Sequence, residues 1–369
     1  VLTNSLDTLT IVDASDLVDL AAKVDTFTTT SVNTITEAYN TVALTTEITD
    51  ALEIVPTAAV TVTGGSITTT NANTIDGLTT GVVTASISET DASTLATVTD
   101  ANGNNDYTAT ITTASVDASV FNGISNVIAN LTDGGVTTLT ETAADFAEVN
   151  TALTGGVLNG NEAVTITGDI TAVNVSTILN NTSGVVTATI SSDTAANLNS
   201  NLTNTSGNDA LTLTVTNTPT DAADLVALNG KTNQQINLSA VTVISGDASE
   251  LIDVYVTNIA DYSGLGNEAV SVDNTSSAAD VNTIATATSG VVTATITNGA
   301  VTDTLNAIGY VDVNDVITFT TTDTSADATD IVALNEKVDT FGVDTITTVT
   351  EDAANIGTNA VNVTNAIGI

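Results

Sequence analysis

The chain has 369 residues, of which 42% are hydrophobic but only 3% are aromatic, so a folded core must consist of Val, Ile, Leu and Ala. Its 43 acidic and three basic residues give a formal charge of −40, which disfavours binding to nucleic acids or anionic membrane surfaces. Since Cys, His and Arg are absent, carboxylates lack the partners that acid–base and thiol catalysis need, and we expect no enzymatic activity.

Two further features concern processing and membranes. No run of about 18 apolar residues occurs, so we expect no membrane insertion. The sequence contains no Met and opens without a recognisable signal peptide. Val1 is therefore expected to follow a processing site or to be the edge of a fragment.

Short helical segments are predicted at intervals of about 26 residues. Each reads as a polar residue, Ala, two variable residues and an apolar residue, a spacing that places the apolar side chains on one helical face. The polar first residue is the predicted N-cap, which accepts a hydrogen bond from a free N–H group. In chain order the predicted N-caps are Asp13, Asn71, Asp91, Asp117, Thr142, Thr194, Asp221, Asp247, Ser277, Asp327 and Asp352.

Short β-branched segments lie between these predicted helices. In most of them Thr or Ser alternates with aliphatic residues, which is typical of a strand with one buried face and one face in water. The predicted strands are 60–63, 82–87, 107–111, 136–140, 164–167, 185–190, 211–215, 241–244, 270–272, 291–296, 316–320 and 345–349.

A longer repeat of about 105 residues contains four strand-and-helix segments. The strand GVVTASI, which begins at Gly81, returns as GVVTATI at Gly184 and Gly290. The three lysines, Lys23, Lys231 and Lys337, each follow a helical N-cap Asp by ten positions. We expect each lysine to bind the last carbonyl groups of its helix; the alternative is a salt bridge or cross-link to a neighbouring subunit.

Strands joined by helix-length connections are expected to be parallel, and such connections are right-handed in nearly all known cases. We therefore predict a right-handed α/β solenoid with a parallel β-sheet and short helices. About 14 coils of ~26 residues would form one continuous domain over residues 1–369. The alternative is an all-β right-handed parallel β-helix, whose coils have a similar length.

The blocks D-A-x-D-L-V-x-L-x-x-K and the strands G-V-V-T-A-T-I resemble the very large Thr/Asp/Ala-rich repeat proteins of marine cyanobacteria and other aquatic bacteria. The resembling motifs recur along almost all of the chain. The resemblance implies an extracellular or cell-surface location and a passive role, and no catalytic residues come with it.

Loops rich in Asp, Asn and Gly are candidate calcium sites, because Ca²⁺ binds carboxylate and carbonyl oxygens at turns. The first candidate consists of Asp100, Asn102, Asn104 and Asp106, and residues 133–135 and 264–268 form two further loops. The same residues are common turn formers, and the GGxGxD and EF-hand patterns are absent. Calcium is the one cofactor that the sequence suggests.

Pairs of Thr residues spaced two apart form a further candidate surface, the Thr ladder, because both members of a pair face water from an exposed sheet. Such arrays are similar to those of ice-binding proteins, although Thr is favoured on any exposed sheet face. The ladder consists of Thr61, Thr63, Thr108, Thr110, Thr165, Thr167, Thr187, Thr189, Thr212, Thr214, Thr293, Thr295, Thr318 and Thr320.

The ends of the predicted solenoid carry no polar cap, and Val361, Val363, Ile367 and Ile369 lie close to one of them. Exposed core and strand edges favour stacking of one subunit on the next. We therefore expect an extracellular structural protein, a head-to-tail homopolymer in a filament, sheath or surface matrix. A segment of a giant surface protein would have the same sequence, and the alternative function is a surface module or adhesin segment that binds calcium, glycans or ice.

Overall fold

The computed structural model describes residues 3–5, 10–24, 26–39, 44–216, 219–351 and 356–369. Short strands and short helices alternate along the chain, and consecutive strands pair in parallel. This alternation confirms the predicted α/β class and excludes the all-β alternative.

The secondary structure elements are given in chain order. The strands are β1 (Thr3–Ser5), β2 (Ile11–Asp13), β3 (Thr26–Thr28), β4 (Thr34–Ala38), β5 (Ala59–Ile67), β6 (Val83–Ile87), β7 (Asp106–Ile111), β8 (Ser115–Asp117), β9 (Asn130–Asp133), β10 (Thr138–Thr142), β11 (Ala163–Ile170), β12 (Val186–Ile190), β13 (Ala210–Thr212), β14 (Thr220–Asp221), β15 (Ile236–Asn237), β16 (Val243–Gly246), β17 (Tyr262–Ser263), β18 (Ala269–Ser276), β19 (Val292–Ile296), β20 (Val316–Thr320), β21 (Ser325–Asp327), β22 (Thr340–Gly342) and β23 (Thr348–Thr350). The helices are α1 (Ala14–Lys23), α2 (Leu44–Ile54), α3 (Thr69–Asp76), α4 (Ala92–Leu95), α5 (Ala118–Val127), α6 (Ala147–Thr154), α7 (Ala172–Leu179), α8 (Ala195–Asn201), α9 (Ala222–Asn229), α10 (Ala248–Ile252), α11 (Ala278–Ala287), α12 (Val301–Ala307), α13 (Ala328–Asn335) and α14 (Ile356–Ile367). A π-helical turn over Asp253–Thr257 and a 3₁₀ turn over Ile259–Asp261 follow α10.

The chain divides into two compact units. The first comprises residues 1–168 and 180–187, and the second comprises residues 169–179 and 188–369. In the first unit, a parallel sheet has the strand order β2-β4-β5-β6-β7-β9, and β8, β10 and β11 pair in that order. In the second unit, a parallel sheet has the order β14-β16-β18-β19-β20-β22, and β15-β17 and β21-β23 form two-stranded sheets.

Consecutive paired strands define a β-α repeat, the segment from one strand to the next strand that pairs with it. Paired residues are 20 to 26 positions apart: Ile67↔Ile87 and Val243↔Ala269 mark the two ends of the range. The 26-residue spacing read from the sequence is thus the upper end of this range, because the turns differ in length from one repeat to the next.

Asp N-caps start the helices as the sequence predicts. The Asp13 carboxylate accepts the N–H groups of Ser15 and Asp16 at 3.1 and 3.4 Å. Asp91, Asp117, Asp221 and Asp327 cap α4, α5, α9 and α13 in the same way, Thr194 and Ser277 cap α8 and α11, and Asp247 forms a capping box with Glu250. The carboxylates of the Asp N-caps also complement the positive ends of the helix dipoles.

Two N-cap predictions are wrong, and a third falls outside the described residues. Thr68 caps α3 by accepting the Asn71 N–H group, so Asn71 lies inside the helix; four consecutive polar residues made the register ambiguous. Thr142 ends β10, and α6 begins only after Phe146, although the local sequence matches the helical motif. Asp352 lies outside the described residues.

Several strands were missed because they are only two or three residues long. β2, β8, β14 and β21 each end on the Asp that caps the next helix, so no alternating pattern can develop. Three predicted strands are displaced: 136–140 corresponds to β10 at 138–142, 241–244 to β16 at 243–246, and 345–349 to β23 at 348–350.

The core is a thin aliphatic layer between strands and helices. In β19, Val292, Ala294 and Ile296 are at most 4% exposed, and the Thr residues between them face outward. In α9, Ala222, Leu225 and Leu228 are fully buried, as the spacing on one helical face predicts.

A Thr-x-Gly turn positions the strand that follows it. The Thr182 hydroxyl donates to the Glu162 carbonyl oxygen at 2.6 Å and accepts the Gly184 N–H group at 2.9 Å. The same pair of bonds recurs at Thr79 and at Thr288. A Cβ atom on Gly184 would lie 2.3 Å from the Glu162 carbonyl oxygen, so only glycine allows this approach.

The Gly184→Ala substitution is therefore expected to lower stability by about 1 to 3 kcal/mol, because adjacent repeats must move apart. Gly123→Ala is the matched control, since Gly123 is exposed within α5 and has open space around its Cβ position. In that helix alanine is expected to raise stability by about 0.5 to 1 kcal/mol. Thermal unfolding followed by circular dichroism measures both changes; an unaltered Gly184→Ala melting curve would contradict the close approach.

Candidate functional site

The Thr ladder lies on strands whose alternate residues are buried. Thr63, Thr108, Thr110, Thr167, Thr187, Thr189, Thr212, Thr293 and Thr295 are exposed, and Thr61, Thr165, Thr214, Thr318 and Thr320 are half-buried. None of these side chains belongs to the buried core. The Thr63 and Thr167 hydroxyl groups donate to the carbonyl oxygens of Glu37 and Glu141 at 3.4 and 3.3 Å.

The strand register does not stack the Thr pairs on one another without interruption. Thr61 pairs with Thr84, but Thr84 pairs with Asp106. A register shift between Thr61 and Ser66 displaces the next column of residues. In the second unit, Thr293 pairs with Ser271 on one side and Val316 on the other, and β18 carries a similar shift. Aspartate, serine and valine therefore interrupt the Thr columns.

The candidate calcium loop is held by hydrogen bonds of its own. The Asp100 carboxylate accepts the Asn104 and Asn105 N–H groups, both at 3.1 Å. Asp106 accepts the Asn130 side-chain amide at 2.6 Å, and the Asn102 amide donates to the Thr79 carbonyl at 3.2 Å. Asp100 thus bonds within the loop while Asp106 and Asn102 bond outside it, and calcium binding there stays a prediction.

No group of three or more His, Cys, Asp or Glu side chains is placed to hold a metal ion in the part of the chain that the structure describes. Several acidic side chains are instead buried at the starts of strands. The residues that precede β11, β13, β18 and β20 are Glu162, Asp209, Glu268 and Asp315. They accept backbone N–H groups; Asp315, for example, binds those of Val292 and Asp312 at 2.8 and 3.0 Å.

Other polar side chains cap the helix of the preceding repeat, and we call these contacts inter-repeat caps. The N–H groups of the first helical residues Thr69, Ala92, Ala248 and Val301 donate to side-chain oxygens of Glu89, Thr113, Asn274 and Asp323 at 3.1, 2.8, 3.2 and 2.8 Å. These N–H groups have no partner inside their own helices. Each acceptor lies 20 to 26 positions later, so one repeat completes the backbone bonding of another.

Glu37 and Glu141 occupy equivalent places in the long repeat but have different surroundings. Glu141 uses both oxygens: Oε2 accepts the Ser119 N–H group and hydroxyl at 3.2 and 2.6 Å, and Oε1 accepts the Thr142 N–H group at 2.8 Å. In Glu37, Oε1 accepts the Ala38 N–H group at 2.9 Å, while the buried Oε2 has no hydrogen-bond partner among the described residues.

Burial raises the pKa of the Glu37 carboxyl above its usual 4.5, and the charges of Asp13 and Glu47 raise it further. A raised pKa favours the folded state at low pH, and this contribution is lost as pH rises through the folded pKa. Glu37→Gln is therefore expected to be more stable than the native protein at about pH 7, with the difference vanishing below the unfolded pKa of 4.5.

Glu141→Gln is the matched control. It removes one of the two carboxylate oxygens that accept hydrogen bonds, and it is expected to lower the free energy of unfolding by about 1 to 3 kcal/mol. Melting temperatures of both variants between about pH 4 and pH 8 test this contrast. A loss of stability in both variants at neutral pH would show that the Glu37 charge is well accommodated.

Two of the three lysines connect neighbouring repeats, and Lys23 contacts a side chain of its own helix, so within the described residues none of the three is seen to bind the last carbonyl groups of its helix as expected. Lys231 Nζ donates to the Leu202 carbonyl at 2.6 Å, and Leu202 is the C-cap of α8 in the preceding repeat. Lys337 Nζ donates to the Ile308 and Val311 carbonyls at 3.2 and 2.9 Å. Lys23 forms an exposed ion pair with Asp19, 3.1 Å apart.

A surface cavity of about 330 Å³ lies between the turns after α11 and α12 in the second unit. Val291 and the ring of Tyr310, which is 68% exposed, lie at this cavity, and Thr288, Ser289, Asp312 and Asn314 supply polar groups. Sequence reasoning missed Tyr310. The available signal was a lone aromatic residue in the turn after α12, at a place where the residue 106 positions earlier is Asn204.

No protein-family model matches the chain, and no curated protein is significantly similar to it. None of the described helices is long and apolar enough to cross a membrane.

Proposed function

We propose that the chain is an extracellular structural protein, a right-handed α/β solenoid that stacks end to end into a filament, sheath or surface matrix. It would act without catalysis and without a required cofactor, and its principal partner would be a second copy of itself. The location is supported by the resemblance to secreted and surface-attached repeat proteins and by the strongly acidic composition.

The inter-repeat caps are the observation that carries this proposal. Each cap joins a backbone N–H group in one repeat to a side chain in the next, so these helices complete their bonding only when the next repeat is in place. Chains stabilised in this way extend by adding repeats, because each new repeat needs only the exposed face of the last one.

The last described repeat presents such a face in the second unit. Val361 and Ile367 on α14 are 65% and 72% exposed. Ile367 also lines a mostly aliphatic cavity of about 240 Å³ with Ile346 and Val349. Beside it, β22 ends the six-stranded sheet and β23 pairs only with β21 among the described strands. Exposed strand edges next to apolar side chains favour a further layer.

The net charge of −40 predicts how this association depends on salt. Like charges repel when two copies approach, and salt screens this repulsion over distances of about 10 Å or less. End-to-end association is therefore expected to strengthen with ionic strength, as suits a protein outside the cell in saline surroundings.

Substitution of one exposed valine tests the stacking. Val361→Asp places a charge on the exposed face of α14 and is expected to abolish filaments in negative-stain electron microscopy and large species in sedimentation. Val173→Asp is the control, because Val173 is a 55% exposed valine on α7. Filaments of the native chain that persist in Val361→Asp, or a monodisperse monomer at every concentration and salt, would contradict the proposal.

A further inference from the structure

Tyr310 is exposed, whereas three other tyrosines of the chain are buried. Tyr107, Tyr255 and Tyr262 are at most 4% exposed, and their hydroxyl groups bond to Asn105, Glu268 and the Leu225 carbonyl. Burial raises the pKa of Tyr262 to about 12, with the charges of Asp261 and Asp253 adding to the effect. The Tyr310 ring is 68% exposed, and its hydroxyl has no partner in the described residues. A core role therefore does not explain it.

The turn that carries Tyr310 is held rigidly. Lys337 binds the carbonyl groups of Ile308 and Val311 on either side of it, and the Tyr310 N–H group donates to Asn282 at 2.7 Å. In the equivalent turn, Lys231 binds the Leu202 carbonyl. The additional bonds hold the backbone that carries the exposed ring before any ligand arrives, which lowers the part of the entropy cost of binding that comes from ordering the turn.

The cavity beside the ring combines apolar and polar surfaces. Val291, which is 40% exposed, extends the apolar surface of Tyr310. Asp312 Oδ1 accepts the Asn314 N–H group at 2.7 Å, while Asp312 Oδ2 and the Asn314 side-chain amide have no protein partner within the described ranges. An aromatic face next to free acceptors and an amide suits a ligand with one apolar face and an edge of hydroxyl groups.

We propose that this cavity, the Tyr310 site, binds a neutral carbohydrate. A pyranose stacks its C–H face on the tyrosine ring and donates hydroxyl protons to Asp312 and Asn314. The volume of about 330 Å³ is at the lower end of ligand pockets, which span about 300 to 1,000 Å³, so the site holds one or two sugar rings. This inference is independent of end-to-end stacking.

The electrostatics of the site select against charged ligands. An acidic sugar would meet Asp312 and Asp315 with no cation lining the cavity, and the net charge of the chain is −40. A cation would find little free charge, because both Asp315 oxygens and one Asp312 oxygen already accept backbone N–H groups. A neutral polyol carries no charge, so it needs neither a cation nor a free carboxylate in the cavity.

Saturation-transfer NMR with the full chain tests the site. The probes are cellobiose, maltotriose and N,N′-diacetylchitobiose, with digalacturonate as the acidic counterpart and tetramethylammonium as the cationic one. At least one neutral probe is expected to bind, to retain most of its affinity in Tyr310→Phe and to lose about tenfold or more in Tyr310→Ala.

The Lys337→Ala and Lys231→Ala variants separate the positioning of the Tyr310 turn from the general stability of the protein. Both remove a contact between repeats and are expected to lower the melting temperature, but only Lys337→Ala releases the Tyr310 turn and weakens sugar binding. The proposal is overturned if no neutral probe binds, if Tyr310→Ala leaves binding unchanged, or if digalacturonate or tetramethylammonium is the preferred ligand.

Discussion

One interaction ties neighbouring repeats together at four of the described helices: the hydrogen bond from the first N–H group of the helix to a side chain in the next repeat. A helix of four to eight residues, such as α4 or α12, has a large share of backbone N–H groups without an internal partner. The first residues of these helices are buried, so water does not satisfy the N–H groups. The inter-repeat caps remove the free-energy cost of these unpaired, buried N–H groups, and they do so only while neighbouring repeats stay in register.

Hydrogen bonds to backbone N–H groups also account for several of the acidic side chains. The parallel strands lead each helix out from the same side of a sheet within a unit, so helix N-termini with partial positive charge follow one another. Carboxylates such as Asp323 and Glu89 bind there, while others, such as Asp315, bind N–H groups at strand starts. Several acidic residues are thus paired with backbone N–H groups and not with cationic side chains.

The sequence predicted the features that are local and repeated. Alternation identified strands such as β12 and β19, and the D-A-x-x-L spacing identified Asp13, Asp221 and Asp327 as N-caps. It could not predict contacts between repeats, because they join residues 20 or more positions apart. The reach of Lys231 to Leu202, the register shift that interrupts the Thr ladder and the turn that exposes Tyr310 all belong to this class.

Amide hydrogen exchange tests the inter-repeat caps most directly. In an ordinary helix the first N–H group exchanges rapidly because it has no internal partner. The caps predict that the amides of Ala92, Ala248 and Val301 exchange as slowly as strand amides, and that Asp323→Ala releases Val301 while Ala92 stays protected. Rapid exchange at all three positions in the native chain would contradict the account.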